Sequence, residues 1–237
     1  MVSAIIVAAG KGIRMHDKIR KQYLWLGDCP ILNYTLRVFA SCNLIDKIFL
    51  VVDREDFDFC HKNILSALEP QKKVILVAGG EERQDSVYNG LMAIDDNPES
   101  IIVIHDGVRP FLSSEQLTAC ISGAQESGAC ILGIPAYDTV KKVNNSGYID
   151  QTLERGFIWL AQTPQAFKYD VIRKAHENAR KEGYTGTDDA LLVERLGKRV
   201  KIIKGSRYNI KITTREDLLL AQAIKAGVRG QGLGARD

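Results

Sequence analysis

"SAIIVAAGKGIRMHDKIRKQY", residues 3–23, opens as an aliphatic run and stops at two alanines. A loop with two glycines follows, then Arg14, then a basic cluster ending in Lys21. An apolar run without polar alternation reads as a strand buried on both faces, the kind that a parallel sheet uses. The pattern recurs at 47–52, 73–78, 101–105, 129–135 and 200–204, alongside an opening strand over 2–8. Helical periodicity fills the gaps at 31–40, 57–68, 84–93, 114–127 and 169–182. Strand alternating with helix predicts an α/β fold, with a mostly parallel central sheet, helices on both faces and right-handed crossovers.

In such a fold ligands sit beyond the C-terminal ends of the strands. Unusual polar residues do cluster just after strands: "AAGKGIR" after the first, "GGEERQDS" after the third and "HDGVRP" after the fourth. One stretch breaks the alternation. "YDTVKKVNNSGYIDQTLERGFIWL", residues 137–160, holds two short extended runs around Asn145-Ser146-Gly147 and reads as a β-hairpin. It is too polar for a buried sheet, so it is expected to project as an arm, about 137–155, that pairs with another chain. The expected organisation is a single domain over 1–226, with a flexible glycine-rich tail over 227–237.

Composition bounds the function. The chain has 237 residues, 45% hydrophobic and 26% charged, with a net charge of +3. That is ordinary for a globular protein and lacks the strong basic stripe of a nucleic-acid binder. The five cysteines, Cys29, Cys42, Cys60, Cys120 and Cys130, are odd in number and form no C-x-x-C pair. They fit free thiols in a reducing compartment, not a disulfide frame or zinc site. No apolar run approaches a membrane span and no signal-peptide pattern opens the chain, so a cytoplasmic location is expected.

"AAGKGIR" fits neither glycine fingerprint: no Gly-Lys-Ser/Thr follows, and Met15 stands where the dinucleotide motif needs its third glycine. Ala8, Ala9, Gly10 and Gly12 nevertheless admit a ligand close to the backbone, whose N–H groups can cradle an anion. Arg14 adds a bidentate oxygen clamp and Lys21 a compact charge. Gly79 and Gly80 allow a flat ligand near, with Arg83 and Ser86 opening the next helix. Asp106 ends an aliphatic strand, where a carboxylate facing phosphates is the expected Mg²⁺ ligand, and Arg109 can reach the same cleft. Lys211 sits on a short strand-like run, where an inward charge needs an anionic partner. Thr214 with Asp217 reads as a helix cap, and Asp188-Asp189 as a helix start capped by at least one of the two.

In order along residues 3 to about 225, "AAGKGIRM", "KQY", "GGEERQDSV", "HDGVRPF", "DTVKKV", "AQTPQAF", "TDDA" and "NIKITTREDL" resemble the 2-C-methyl-D-erythritol 4-phosphate cytidylyltransferase family of the non-mevalonate isoprenoid pathway. The resemblance implies a Rossmann-like nucleotidyltransferase fold and a homodimer joined by the hairpin arm. It also implies a reaction of CTP with a sugar-alcohol phosphate, by in-line attack on the α-phosphorus with release of pyrophosphate. By the same resemblance, Ala8, Ala9, Gly10 and Gly12 wrap the nucleotide, and Gly80, Glu81 and Ser86 surround the cytosine. Arg14 and Lys21 neutralise the triphosphate, Lys211 meets the α-phosphate, and Asp106 is the magnesium-side carboxylate. Arg109, Thr139, Arg155 and Thr163 surround the second substrate, with Thr139 and Arg155 reaching the partner subunit's site.

The chain departs from the family pattern in three places. Arg20 replaces a proline before the Lys-Gln pair, which predicts a looser loop around Lys21. Gly107 and Val108 replace two alanines, and Tyr208 replaces an acidic residue present in some relatives. Three other functions compete with this one: a D-ribitol 5-phosphate cytidylyltransferase, a catalytically silent nucleotide-binding module and a nicotinamide-dependent oxidoreductase. The retained Arg14, Lys21, Asp106 and Lys211 count against the silent module. The missing third glycine and the lack of a Tyr-x-x-x-Lys pair count against a nicotinamide-dependent oxidoreductase.

Overall fold

Successive residues of a strand face opposite sides of its sheet, so an unbroken apolar run needs cover on both. The computed structural model of the chain, which describes residues 1–10, 20–68, 72–95 and 97–230, supplies that cover. Strands β1 (Val2–Val7), β4 (Lys47–Val52), β5 (Val74–Ala78), β6 (Ile101–Asp106), β7 (Ala129–Pro135), β10 (Trp159–Lys168) and β11 (Lys201–Lys204) form one sheet in the order β11-β7-β10-β6-β1-β4-β5. A small ribbon pairs β2 (Trp25–Leu26) with β3 (Cys29–Pro30), and a second pairs β8 (Lys141–Val143) with β9 (Ile149–Thr152).

The alternation divides the core in two. Ala4, Ile6, Ile48, Leu50, Val52, Ile101 and Val103 pack with α1 (Ile31–Ser41) and α4 (Ser114–Ser127) on one face. Ile5, Phe49, Val51, Ile102 and Ile104 pack on the other with α3 (Arg83–Met92), α5 (Tyr169–Lys181) and α6 (Asp189–Arg195). A smaller cluster of Leu26, Ile31, Val108, Ile212 and Ala221 seats α7 (Arg215–Gly230) beside the first ribbon.

The expected α/β architecture holds, with one strand the sequence pattern does not reveal. β10 runs antiparallel between β6 and β7 in the middle of the sheet. Its register shifts between Ala161 and Gln165, around a cis Thr163–Pro164 bond. The polar Gln162, Thr163 and Gln165 spoil its apolar periodicity, yet all three are buried because they serve the site described below.

The helix expected over 57–68 is also broken. A 3₁₀ turn (Arg54–Asp56) leads into a short α2 (Phe57–Phe59), a π segment (Cys60–Ile64) and another 3₁₀ turn (Leu65–Ala67). Asn63 Nδ2 donates to the Phe59 carbonyl at 3.1 Å, and Ser66 Oγ to the Lys62 carbonyl at 2.6 Å. Such bonds to the preceding turn compete with regular α geometry. At the C-terminus α7 runs through Gly230, so residues 227–230 are helical where a tail was expected; residues 231–237 lie outside the described residues. A glycine inside a helix costs only about 1 kcal/mol, which the packing of Ala221 and Leu218 upstream offsets.

The hairpin forms as expected. Asn144 Oδ1 accepts from the backbone N–H groups of Ser146 and Tyr148 at 3.0 Å each, and Gly147 adopts φ 83°. A positive φ of this kind favours glycine.

Candidate active site

The polar loops converge at the C-terminal edge of the parallel strands and line two cavities. The first, of ≈ 200 Å³, lies between the ends of β1, β4 and β5. Ala9, Gly10, Asp53, Gly79, Gly80, Glu81, Arg83 and Ser86 are among its lining residues. A methyl group added to Gly79 would come within 2.3 Å of the Ala9 side chain, so only glycine lets the two loops meet there. Among the described residues, a methyl on Gly10 would meet nothing within 4 Å, so none of them closes the space above it to a ligand. Buried Ser86 accepts from the Gly80 N–H at 3.1 Å, which fixes the loop against the start of α3.

Ala8 is buried at the end of β1 and is held from both sides. Its N–H donates to the Val51 carbonyl at 2.7 Å, and its carbonyl accepts from Gln22 Nε2 at 2.6 Å. Gln22 follows Lys21 in a single 3₁₀ turn (Lys21–Tyr23), and the Tyr23 hydroxyl donates to Asp56 Oδ2 at 2.9 Å. Gly12 and Arg14 lie outside the described residues.

The second cavity, of ≈ 220 Å³, is lined by Arg83, Asp106, Arg109, Thr163, Lys211 and neighbours from β10 and the start of α6. Asp106, buried at the end of β6, is its centre. Arg83 Nε donates to Oδ1 at 2.9 Å, while Lys211 Nζ at 2.9 Å and Arg109 Nε at 3.5 Å face Oδ2. Burial alone would raise the Asp106 pKa. Arg83, Lys211 and Arg109 outweigh it and hold the carboxyl well below the usual carboxylate range. Arg83 also reaches Asp189 Oδ2 at 2.8 Å, and buried His176 bonds the other Asp189 oxygen at 3.0 Å. Burial again opposes ionisation, and Arg83 with His176 overcomes it, so the Asp189 pKa is lowered too.

Lys211 has the anionic partner its position requires, but no strand carries it; it lies in the loop between β11 and α7. The strand-like reading of that run fails because its backbone and the Asn209 side chain are committed elsewhere. The Ile212 N–H donates to the Val108 carbonyl at 3.0 Å, and Asn209 Nδ2 donates to the Thr163 carbonyl at 2.8 Å. Arg109 NH1 adds a bond to the Asn209 carbonyl at 2.7 Å. Gln162, Asn209 and Arg83 are the residues the sequence reading undervalued. Of the adjacent carboxylates, Asp188 is the helix cap, accepting from Leu191 N–H at 2.9 Å, and Asp189 is the ion-paired one.

Thr163 accepts from the Asp106 N–H at 3.2 Å and lies 2.9 Å from His105 Nδ1; His105 Nε2 lies 3.3 Å from the Arg109 carbonyl. The neutral Nε2–H tautomer satisfies both contacts. Burial pushes the His105 pKa down to about 3, against the pull of Asp106. An unfolded histidine takes up its proton near pH 6.5, so the folded state's advantage is complete above that pH. It is lost as pH falls toward 3, at about 1.4 kcal/mol per pH unit. Urea midpoints should therefore drop between pH 6.5 and 5, and His105→Asn should flatten that slope. Equal slopes in the two proteins would contradict the assignment.

Thr139 and Arg155 are exposed on the arm side of the molecule, and neither lines the cavity around Asp106 in its own chain. Arg155 NH1 donates to the Tyr137 carbonyl at 2.6 Å. A larger cleft of ≈ 440 Å³, between the ends of α4 and β10, sits at the opposite edge of the sheet and includes none of the candidate site residues.

Comparison with known proteins agrees with this geometry. The model of the 2-C-methyl-D-erythritol 4-phosphate cytidylyltransferase family matches residues 2–226. The chain is 49% identical to the protein of that name from Geobacter metallireducens over 224 residues, covering 94% of this chain and 96% of the other. It is 44% identical to the one from Pelotomaculum thermopropionicum over 230 residues, 97% and 96% of the two chains. The crystal structure of 4-diphosphocytidyl-2C-methyl-D-erythritol synthase from Anaerococcus prevotii superposes with a TM-score of 0.85 at 35% identity. It covers 95% of this chain and 96% of that one.

Proposed function

The chain belongs to the 2-C-methyl-D-erythritol 4-phosphate cytidylyltransferase family, and on that premise we propose how its residues divide the work. The reaction joins CTP to 2-C-methyl-D-erythritol 4-phosphate and releases pyrophosphate, a step of isoprenoid biosynthesis. The observation that carries the assignment of residues is the meeting of two cavities at Arg83, one glycine-lined and one cationic. Two substrates bound there would face each other across one guanidinium.

In this reading Ala8, Ala9, Gly10 and Gly12 wrap the nucleotide, and Gly80, Glu81 and Ser86 hold the cytosine. Arg14 and Lys21 take the triphosphate. Arg109 and Thr163 take the polyol phosphate, with Thr139 and Arg155 contributed by the other subunit of a homodimer. Lys211 leaves Asp106 for the α-phosphate as the substrate phosphate oxygen attacks in line. Positioning and charge neutralisation supply the rate, since phosphoryl transfer asks little covalent chemistry of the protein.

Magnesium needs oxygen donors and is commonly held by one or two carboxylates together with substrate phosphates. Asp106 offers one such carboxylate, and among the described residues no cluster of three or more His, Cys, Asp or Glu could hold a metal alone. The residues present fit an ion that arrives with the triphosphate, with Asp106 as the protein's ligand. The ion would supply charge neutralisation on the phosphates.

The deciding experiment is pyrophosphate release from CTP with each of two polyol phosphates. Turnover with 2-C-methyl-D-erythritol 4-phosphate is expected; equal or better turnover with D-ribitol 5-phosphate would overturn the substrate. CTP binding without release would point to the silent module.

The homodimer is proposed from the arm. Tyr148, Ile149, Phe157 and Leu160 are exposed there, Phe157 by 80%. Large apolar side chains left exposed on and just after the arm fit a protein interface. Deleting residues 142–150 should give monomers by sedimentation and a raised KM for the polyol phosphate; persistent dimers would contradict it. Free, buried thiols at all five cysteines suit the reducing cytoplasm, which also supplies CTP.

A further inference from the structure

We infer that Arg20 is a positioning residue for Lys21, an ion-pair clamp that does through its side chain what a proline does through its ring; this rests on Lys21 being the triphosphate lysine. The backbone at Arg20 has φ −62° and ψ 137°, inside the narrow φ range of proline. Nothing in the residue itself enforces that conformation, so it must be held by contacts.

The contacts are present. Arg20 NH1 lies 2.8 Å from Asp53 Oδ2 and Nε 3.3 Å from Asp56 Oδ2, with the side chain only 22% exposed. Glu55 stands further off, at 3.9 Å from NH2. All three carboxylates belong to the turn that follows β4, and Asp53 caps that turn by accepting from the Glu55 N–H at 3.3 Å. Asp56 is shared, since it also accepts from the Tyr23 hydroxyl at 2.9 Å. The Tyr23 ring in turn packs on Phe59, with centroids 4.8 Å apart.

The consequence falls on Lys21. The Tyr23 N–H donates to the Arg20 carbonyl at 2.9 Å and closes the turn. Gln22 is tied to the Ala8 carbonyl at 2.6 Å. Residues 20, 22 and 23 are thus fixed to the chain just beyond β1 and β4, and Asp53 itself lines the glycine-walled cavity. Lys21 is carried between them on a short turn with little freedom. Arg20 therefore does not loosen this turn, as the loss of proline predicts; its side chain restores the restraint.

A residue that acts through Lys21 has no effect once Lys21 is gone, whereas one that supports the fold at large does. The test is a cycle on kcat for pyrophosphate release, with thermal melting as a control. Arg20→Ala should lower kcat about tenfold with little change in Tm, because a misplaced catalytic group can cost up to ~10² in rate. In a Lys21→Ala background the same change should do nothing further. Arg20→Pro should recover kcat to within about threefold of the unsubstituted enzyme, since it keeps φ without the guanidinium. Additive losses, an Arg20→Ala variant at the unsubstituted rate, or an Arg20→Pro variant as slow as Arg20→Ala would each overturn the clamp. A silent Lys21→Ala would instead overturn the role of Lys21, and with it the purpose of the clamp.

Discussion

Replacing Lys21 by alanine should cut kcat by about 10²–10³, the loss expected when one charged contact to the transition state is removed from a preorganised site. The fold should survive the change. Lys21 is only half-buried, and the turn around it is secured by its neighbours: Gln22 on the Ala8 carbonyl, Tyr23 on Asp56 and Arg20 on Asp53. KM for CTP should rise far less than kcat falls, because the nucleotide is also held along Ala8–Gly10 and Gly80–Ser86 in the proposed binding mode. An interaction made chiefly in the transition state appears in kcat. Steady-state kinetics with both substrates saturating, beside a melting curve, measures this directly. A folded variant with near-normal kcat would remove Lys21 from the catalytic set. A variant with normal kcat and a large KM would make it a ground-state binding group only.

The sequence revealed those parts of the fold that depend on local pattern. The runs at β1, β4 and β6 are mostly apolar, without polar alternation, so burial on both faces could be read from them directly. The three polar loops could be assigned to one edge because strand polarity follows from the alternation with helices. β10 was illegible for a physical reason: Gln162, Thr163 and Gln165 are buried polar residues whose partners lie far away in the chain. Gln162 bonds the Ser206 carbonyl at 2.8 Å, Thr163 meets His105 at 2.9 Å, and Gln165 bonds Asp188 at 2.8 Å. A polar side chain is content in a core when it is hydrogen-bonded, and no periodicity announces that. The same holds for Arg83. Its motif places it at a helix start, but its partners Asp106 and Asp189 are 23 and 106 residues away. The catalytic-looking residues were therefore legible by type, and the scaffold that orients them was not. Arg20 belongs to that scaffold: as a replacement for proline it looked like a loss, and only Asp53 and Asp56 in space give it a purpose.

Arg83 carries the largest expected effect on stability. It bridges Asp106 at 2.9 Å and Asp189 at 2.8 Å, and these carboxylates are 7% and 1% exposed. Replacing it with methionine keeps much of the volume and leaves two buried carboxylates short of their main cation. Removing one partner from a buried ion pair typically costs about 3–5 kcal/mol, most of it the penalty on the charge left behind. Asp106 retains Lys211 and Arg109, and Asp189 retains His176. Those partners place the expected loss near the lower end, about 3 kcal/mol. The pH dependence separates this cause from simple loss of packing. Both carboxyls have lowered pKa values in the fold, with Arg83 the foremost of the charges that lower them. Their contribution is complete above the ordinary aspartate pKa near 3.9 and is lost progressively as pH falls from there through the lowered folded values. Without Arg83 both pKa values rise, and protonation relieves the uncompensated charge earlier on the way down. The stability gap between Arg83→Met and the unsubstituted protein should therefore be widest at neutral pH and shrink as pH approaches 4. Urea unfolding at a series of pH values reads the gap. A gap that stays constant with pH would mean that the side chain's packing, not its charge, holds the two carboxylates' surroundings together.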